Sequence, residues 1–164
     1  PYLPRNCLFP VIVVCHLHPQ DNGGLVDFFS RRFPHHIKEA KDKEQVQSGM
    51  IYFPPANYHL LVEQEKSFAL SVDPKVNYSR PSIDVFFESA SEVWTRDLTG
   101  IILTGASCDG ARGICSIKDR GGLTIAQDPG TADSYLMPKA AIDTGKVDKI
   151  LSVEDIGLFL KSMA

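Results

Sequence analysis

The sequence has little that would indicate a disulfide framework, a zinc site or a membrane segment. Its four cysteines, Cys7, Cys15, Cys108 and Cys115, form no Cys-x-x-Cys pair. We therefore expect free thiols in a reducing compartment, the cytoplasm. No apolar run approaches the roughly 20 residues of a membrane span. The net charge of −3 offers no basic surface for nucleic acid.

Length and composition are those of one globular domain. A chain of 164 residues, 43% hydrophobic and 23% charged, can bury a substantial core. Two apolar, β-branched runs, residues 9–16 and 99–104, are typical of strands that are buried on both faces of a sheet. Helical patterns alternate with such strands, which predicts an α/β fold: a three-layer, doubly wound, mostly parallel sheet.

Shorter patterns predict the other elements. Predicted helices cover residues 24–32, 82–94 and 111–120, with two more beginning near Pro138 and after a capping Ser152. Predicted strands cover residues 50–53, 123–127 and 147–151. Residues 59–63 and 67–72 predict a small antiparallel hairpin. The charged residues 37–47 predict an exposed connection.

A titratable side chain follows each of the two apolar runs. The first run ends on His16, and the turn after the second carries Asp109. Catalytic groups collect at the carboxyl ends of strands in open α/β sheets. On neighbouring strands, Asp109 could accept from one imidazole nitrogen of His16 and leave the other as a base. Alternatively, Asp109 is only a helix cap and His16 is structural.

Six short motifs follow one another along the chain. They are residues 10–16, residues 52–60 (Tyr-Phe-Pro-Pro-Ala-Asn-Tyr-His-Leu), residues 80–87 (Arg-Pro-Ser-Ile-Asp-Val-Phe-Phe), residues 103–111, residues 126–128 and residues 137–142. In order and rough spacing, these stretches resemble the motifs of the chemotaxis protein-glutamate methylesterases. The resemblance covers nearly the whole chain.

The resemblance implies an activity and a set of site residues. Members of the family hydrolyse glutamate methyl esters on chemoreceptors and release methanol, and some also deamidate receptor glutamines. In the implied Ser-His-Asp mechanism, His16 takes the proton of the serine and Asp109 holds His16. Arg80, His59 and Met137 are implied to border the substrate. No metal and no organic cofactor is implied.

The resemblance also implies the partners of the chain. The substrate would be the methylated cytoplasmic helices of chemoreceptors. A receiver domain or a histidine kinase would be a further partner. Neither nucleic acid binding nor membrane insertion is expected.

One motif of the family is not found in these residues. The family's nucleophile is a serine in a Gly-Ala-Ser-Thr-Gly-Gly turn, and no such stretch occurs here. We expect residues 1–164 to be a single methylesterase-like catalytic domain, with the serine in a strand, turn and helix ahead of Pro1. Two alternatives stay open. One is a non-catalytic relative that binds receptors or signalling partners, and the other is a different hydrolase with Ser107 as nucleophile.

Overall fold

A computed structural model describes residues 3, 7–16, 20 and 22–163. The contacts divide the chain into two compact units, one of Pro1–Ser82 with Gly157–Ala164 and one of Ile83–Ile156. The single catalytic domain, with a strand, turn and helix ahead of Pro1, stays a prediction.

The first unit contains a three-stranded parallel sheet. Its strands are β1 (Val11–Ile12), β2 (His36–Glu39) and β3 (Met50–Phe53), in the order β1-β3-β2, and helix α1 (Gly24–Arg32) lies between β1 and β2 in the chain. The bounds of α1 confirm the predicted helix. Its Phe29 ring stacks on the buried ring of Phe53, 5.8 Å between centroids.

Strand β1 is shorter than the apolar run 9–16 predicts. Only Val11 and Ile12 pair with β3, followed by one hydrogen bond from Val13 N to Tyr52 O of 2.9 Å. The next hydrogen bond of the parallel ladder would be donated by residue 54. This residue is Pro54, which has no N–H. The prediction that the strand reaches His16 is therefore wrong.

The charged residues 37–47 were predicted to be an exposed connection, which is wrong for residues 37–39 and holds for the mostly exposed residues 41–47. Strand β2 occupies the first part of this stretch and pairs along the whole of β3, from His36 beside Met50 to Glu39 beside Phe53. Its Lys38 is half-buried and forms an ion pair with Glu44 at 2.5 Å. The charged residues of β2 therefore look like an exposed segment in the sequence, although the strand lies inside the unit and its Lys38 is paired.

The predicted antiparallel hairpin is confirmed. Strands β4 (His59–Val62) and β5 (Phe68–Ser71) pair from His59 beside Ser71 to Val62 beside Phe68. The buried Phe68 ring meets the Tyr52 ring of β3 edge-on at 4.9 Å. Tertiary packing of this kind is what a two-stranded hairpin needs in order to be stable.

The second unit contains another three-stranded parallel sheet. Its elements are α2 (Ile83–Trp94), β6 (Thr99–Ile102), α3 (Ala111–Asp119), β7 (Leu123–Gln127), α4 (Leu136–Asp143) and β8 (Lys149–Leu151), with strand order β6-β7-β8. Ile102, Ile114, Ile117 and Ile125 are buried between the sheet and its helices. Parallel strands with helical crossovers are what the sequence predicts here.

The last helix, α5 (Val153–Ser162), begins where its capping residue predicts. Ser152 Oγ accepts a hydrogen bond from Asp155 N at 3.1 Å, so the predicted N-cap is confirmed. Within the described part of the chain, no helix is both long enough and apolar enough to cross a membrane. The four cysteines, all in the described part of the chain, are not joined in a disulfide bond.

Candidate functional site

Asp109 lies in the turn between β6 and α3, and its side chain caps a different helix. The carboxylate is 1% exposed, and it accepts from Ile83 N at 2.7 Å and from Asp84 N at 3.1 Å. These are the first two N–H groups of α2, which have no partner inside the helix. The positive end of the α2 dipole also favours an anion at this position.

Asp84, the second residue of α2, makes the same kind of contact with α3. Its Oδ1 accepts from Gly110 N at 2.9 Å and from Gly113 N at 2.8 Å, and the residue is 3% exposed. The two helices therefore cap each other. Asp109, just before α3, caps the N-terminus of α2, and Asp84 of α2 caps the N-terminus of α3. Asp84 lies in the Arg-Pro-Ser-Ile-Asp motif, but nothing in the sequence around it indicates a contact with a second helix.

Two glycines allow α2 and α3 to approach this closely. Gly110 has a φ of 99°, and a Cβ there would lie 2.5 Å from Ile102 Cδ1. A Cβ on Gly113 would lie 2.5 Å from Phe87 Cβ on α2. Side chains at either position would push the helices apart and break the exchange of caps.

The arrangement holds the Asp109 carboxylate in one orientation. Oδ2 accepts the amide of Ile83, and Oδ1 accepts the amide of Asp84. Chemically, a buried, oriented carboxylate of this kind can accept an imidazole N–H and fix the tautomer of the ring.

His16 is exposed and lies beyond the end of β1. Strand β1 belongs to the sheet of the first unit and β6 to the sheet of the second. The hydrogen bond between His16 and Asp109 stays a prediction.

Ser107, the alternative nucleophile, already makes a local contact. Its Oγ accepts a hydrogen bond from Asp109 N at 3.1 Å. A nucleophilic role of Ser107 stays an open alternative.

Arg80 ties two loops of the first unit together. Its Nη1 donates to the carbonyl oxygens of Val72 at 2.6 Å and Asp73 at 2.9 Å. Its Nη2 and Nε donate to Asn57 Oδ1 at 2.8 and 3.3 Å. The planar guanidinium, with five N–H donors in a fixed fork, is well suited to bridging two loops in this way. Substrate binding by Arg80 stays a prediction, and most of its donors are already occupied.

His59 is inside the first unit and has almost no surface for a substrate to touch. It is 1% exposed and begins β4, with Nε2 at 3.1 Å from Pro74 O. Because a carbonyl only accepts, Nε2 carries the proton. Nδ1 then has no hydrogen-bond partner among the described residues. A substrate contact by His59 stays a prediction, and the buried side chain offers it almost no surface.

Met137 is 7% exposed and packs against the turn that leads from β6 to Asp109. Met137 N donates to Gly105 O at 3.0 Å, and Gly105 N donates to Ser134 O at 3.0 Å. The start of α4 and this turn are therefore joined by main-chain hydrogen bonds. A substrate contact by Met137 stays a prediction.

Gln127, at the end of β7, connects the same turn to the loop before α4. Its Oε1 accepts from Thr104 N at 2.8 Å, and its Nε2 donates to Thr131 O at 3.0 Å. The residue is 2% exposed. Sequence analysis placed it in a motif but did not assign it this positioning role.

Three ion pairs shift the pKa values of the groups that form them. Hydrogen bonding to Glu63 raises the pKa of Lys43, and hydrogen bonding to Asp119 raises that of Lys146. Lys43 likewise lowers the pKa of Glu63, and Lys118 lowers that of Asp148. In the part of the chain that the structure describes, no cluster of three or more His, Cys, Asp or Glu side chains could hold a metal ion.

The parallel strands and their helical crossovers define an α/β protein. Its candidate site lies at a strand end, where the turn after β6 carries a buried carboxylate. The model of the CheB methylesterase family matches residues 1–160, and the chain belongs to this family. The membership confirms the resemblance seen in the sequence motifs.

Three similar proteins illustrate this membership. A Leptospira interrogans relative, provisionally named a protein-glutamate methylesterase/protein-glutamine glutaminase, is 47% identical over 98% of this chain and 84% of its own length. A Mesorhizobium japonicum relative of the same activities is 40% identical over 90% of this chain, which spans 43% of that relative. The crystal structure of the Thermotoga maritima CheB methylesterase catalytic domain is 32% identical, with a TM-score of 0.93 over 99% of this chain and 87% of that one. This similarity confirms the predicted three-layer α/β fold.

Proposed function

We propose that this chain hydrolyses glutamate γ-methyl esters on chemoreceptors, releasing methanol, and that it also deamidates receptor glutamines. Membership of the CheB methylesterase family and the activities for which the relatives are named support this function. The observation that carries it in this chain is the buried Asp109 carboxylate, oriented by two main-chain amides within the family's aspartate motif.

The proposed mechanism assigns one role to each member of a triad. His16 takes the proton of a serine as it attacks the ester carbonyl, and gives that proton to the methoxide that leaves as methanol. It then takes a proton from the water that hydrolyses the acyl-enzyme, and returns it to the serine oxygen. Asp109 accepts one imidazole N–H and balances the charge of the ring. Since the Gly-Ala-Ser-Thr-Gly-Gly turn does not occur in the 164 residues, the proposal places the serine ahead of Pro1.

We also propose the cytoplasm as the compartment and methylated receptor helices as the substrate. A receiver domain or a histidine kinase is the proposed signalling partner. The four free cysteines are consistent with a reducing compartment.

The test measures methanol release from methylated receptor membranes, and ammonia release from receptor glutamine. It compares the 164-residue chain with the same chain joined to a strand, serine turn and helix ahead of Pro1. We expect activity only in the joined protein. Replacing its serine, or His16→Ala, should reduce the rate by about 10³-fold or more. His36→Ala, an exposed histidine on β2, is the matched control.

A non-catalytic binding role is the second candidate, and the missing nucleophile turn is the observation that favours it. It predicts that the joined protein binds receptor fragments without turnover. Methanol release that survives His16→Ala would contradict the proposed mechanism, and release by the 164-residue chain alone would contradict the proposed place of the serine.

A further inference from the structure

We propose that Asp84 is a positioning residue for Asp109. In this assignment the Asp84 carboxylate holds the backbone of the turn that carries Asp109, so that the Asp109 carboxylate keeps its orientation. The assignment deepens the proposed function and rests on it for its catalytic consequence. Its structural part can be tested without any activity.

The Asp84 side chain binds the backbone of the turn that carries Asp109. Gly110 follows Asp109 directly, so its N–H belongs to the peptide group that begins with the Asp109 carbonyl. Because Asp84 Oδ1 accepts this N–H at 2.9 Å, it fixes that peptide plane. On the other side, Asp109 N donates to Ser107 Oγ at 3.1 Å. The backbone of Asp109 is therefore held at both of its peptide groups.

The contacts between Asp84 and the turn of Asp109 are reciprocal. Asp84 accepts from the turn through its side chain and donates to Asp109 Oδ1 through its own N–H at 3.1 Å. Ile83 N donates to Asp109 Oδ2 at 2.7 Å. The two helix N-termini thus share one closed set of hydrogen bonds, in which moving either carboxylate disturbs the other.

Removing the Asp84 carboxylate would take the acceptor away from two amides at the start of α3. Gly110 and Gly113 are buried, so their N–H groups would lose their partner away from water. Buried donors without a partner are costly, and the turn would have to shift to satisfy them. Asp109 is part of that turn and would shift with it.

Two substitutions separate the acceptor from the charge. Asp84→Ala removes Oδ1, whereas Asp84→Asn can keep an oxygen in the same place while it removes the negative charge and replaces the second oxygen with an NH2 group. If Asp84 acts as an acceptor, D84N should behave nearly as the parent does. The matched control is Asp42→Ala, since Asp42 Oδ1 also accepts a main-chain amide, that of Leu70, in the other unit.

The first measurement is amide hydrogen exchange by NMR on the 164-residue chain. Exchange is compared with that of Ile125, a buried residue of the central strand β7, to remove the effect of global unfolding. In D84A we expect the amides of Gly110, Gly113 and Ile83 to exchange at least about tenfold faster relative to Ile125. D84N and D42A should leave these three amides protected.

The amide of Ile83 decides the outcome, because its acceptor is Asp109 and not Asp84. Faster exchange at Gly110 and Gly113 alone would reduce Asp84 to a cap of α3 and overturn the proposal. If these amides exchange as fast in D84N as in D84A, the proposed role of Asp84 as an acceptor is overturned. Should D84A fail to fold, Asp84→Ser, whose shorter side chain can form only a local cap, takes its place with the same expectations.

The second measurement is steady-state kinetics on the protein joined to the serine segment. Misplacing a catalytic group by about 1 Å can cost roughly 10²-fold, so D84A should lower kcat about 10- to 100-fold with KM changed less than about twofold. D84N should stay within about threefold of the parent. A D84A protein with full kcat per folded molecule would overturn the proposal. If the parent itself has no esterase activity, the proposed function fails, and the exchange data alone decide the role of Asp84.

Discussion

Gly105 and Met137 lie so close together that a Cβ on Gly105 would be 2.0 Å from Met137 Sδ. The Met137 side chain therefore packs directly on the backbone of Gly105, in the space that a Cβ would need. The two main-chain hydrogen bonds of Gly105, to Ser134 and Met137, depend on this approach.

Gly105→Ala should consequently displace Met137 and separate the turn from α4. Overpacking of this kind typically costs about 1–3 kcal/mol in the free energy of unfolding, which urea denaturation measures. The control is Gly24→Ala, where the new methyl group meets only Asn22 Oδ1 at 3.7 Å. G24A should leave the free energy unchanged or raise it by up to about 1 kcal/mol. Equal stability of G105A and the parent would contradict the contact.

Arg80 provides a prediction that separates loop bridging from substrate binding. Arg80→Ala removes the donors to Val72, Asp73 and Asn57 and should lower the free energy of unfolding by about 1–3 kcal/mol. Arg80→Lys keeps the charge but not the planar fork, so it should recover only part of the loss.

Thermal unfolding and the KM for the ester are the two measurements for Arg80. Arg96→Ala, an exposed arginine, is the control and should change neither. If R80A unfolds as the parent does while its KM rises about tenfold, Arg80 binds substrate and the bridging role is secondary.

Asp148 gives a pH-dependent prediction. Hydrogen bonds from Lys118 and from the backbone and side chain of Thr124 lower its pKa below 3.8, its ordinary value. A carboxylate whose pKa is lowered on folding stabilises the protein above its unfolded-state pKa. That contribution is lost as the pH falls below about 3.8 and through the folded-state pKa.

Asp148→Asn should therefore cost about 1–2 kcal/mol at pH 7, and the difference from the parent should shrink toward zero below pH ~3.8. Urea denaturation at several pH values measures both. Asp97→Asn, at an exposed site, should stay within about 0.5 kcal/mol of the parent throughout. A deficit of D148N that does not change with pH would rule out the charge of Asp148 as its cause.

Ser107→Ala tests the alternative nucleophile. Because Ser107 Oγ accepts the Asp109 amide, its loss should cost about 1 kcal/mol of stability and lower the esterase rate of the joined protein less than about tenfold. Loss of a nucleophile would instead cost 10³-fold or more. A folded but inactive S107A protein would place the nucleophile in the Asp109 turn.

Local patterns predicted most of the elements correctly. Helix α1 and strand β7 have the predicted bounds because their apolar spacing and flanking glycines are signals that neighbouring residues carry. Strand β2 was missed because the pairing of Lys38 with Glu44 cannot be seen from spacing. The length of β1 was overestimated because the residue that ends its ladder, Pro54, belongs to another part of the chain.

The sequence by itself determined the family and the place of Asp109 in a turn after a buried strand, since motif order and apolar runs are properties of the chain. Tertiary structure alone decided which groups these side chains meet. Asp109 caps α2 and Asp84 caps α3 across separations of 25 to 29 residues. His59 is buried and the donors of Arg80 are occupied for the same reason. Hydrogen-bond partners far apart in the chain are chosen by the packing of helices and loops, which no local pattern records.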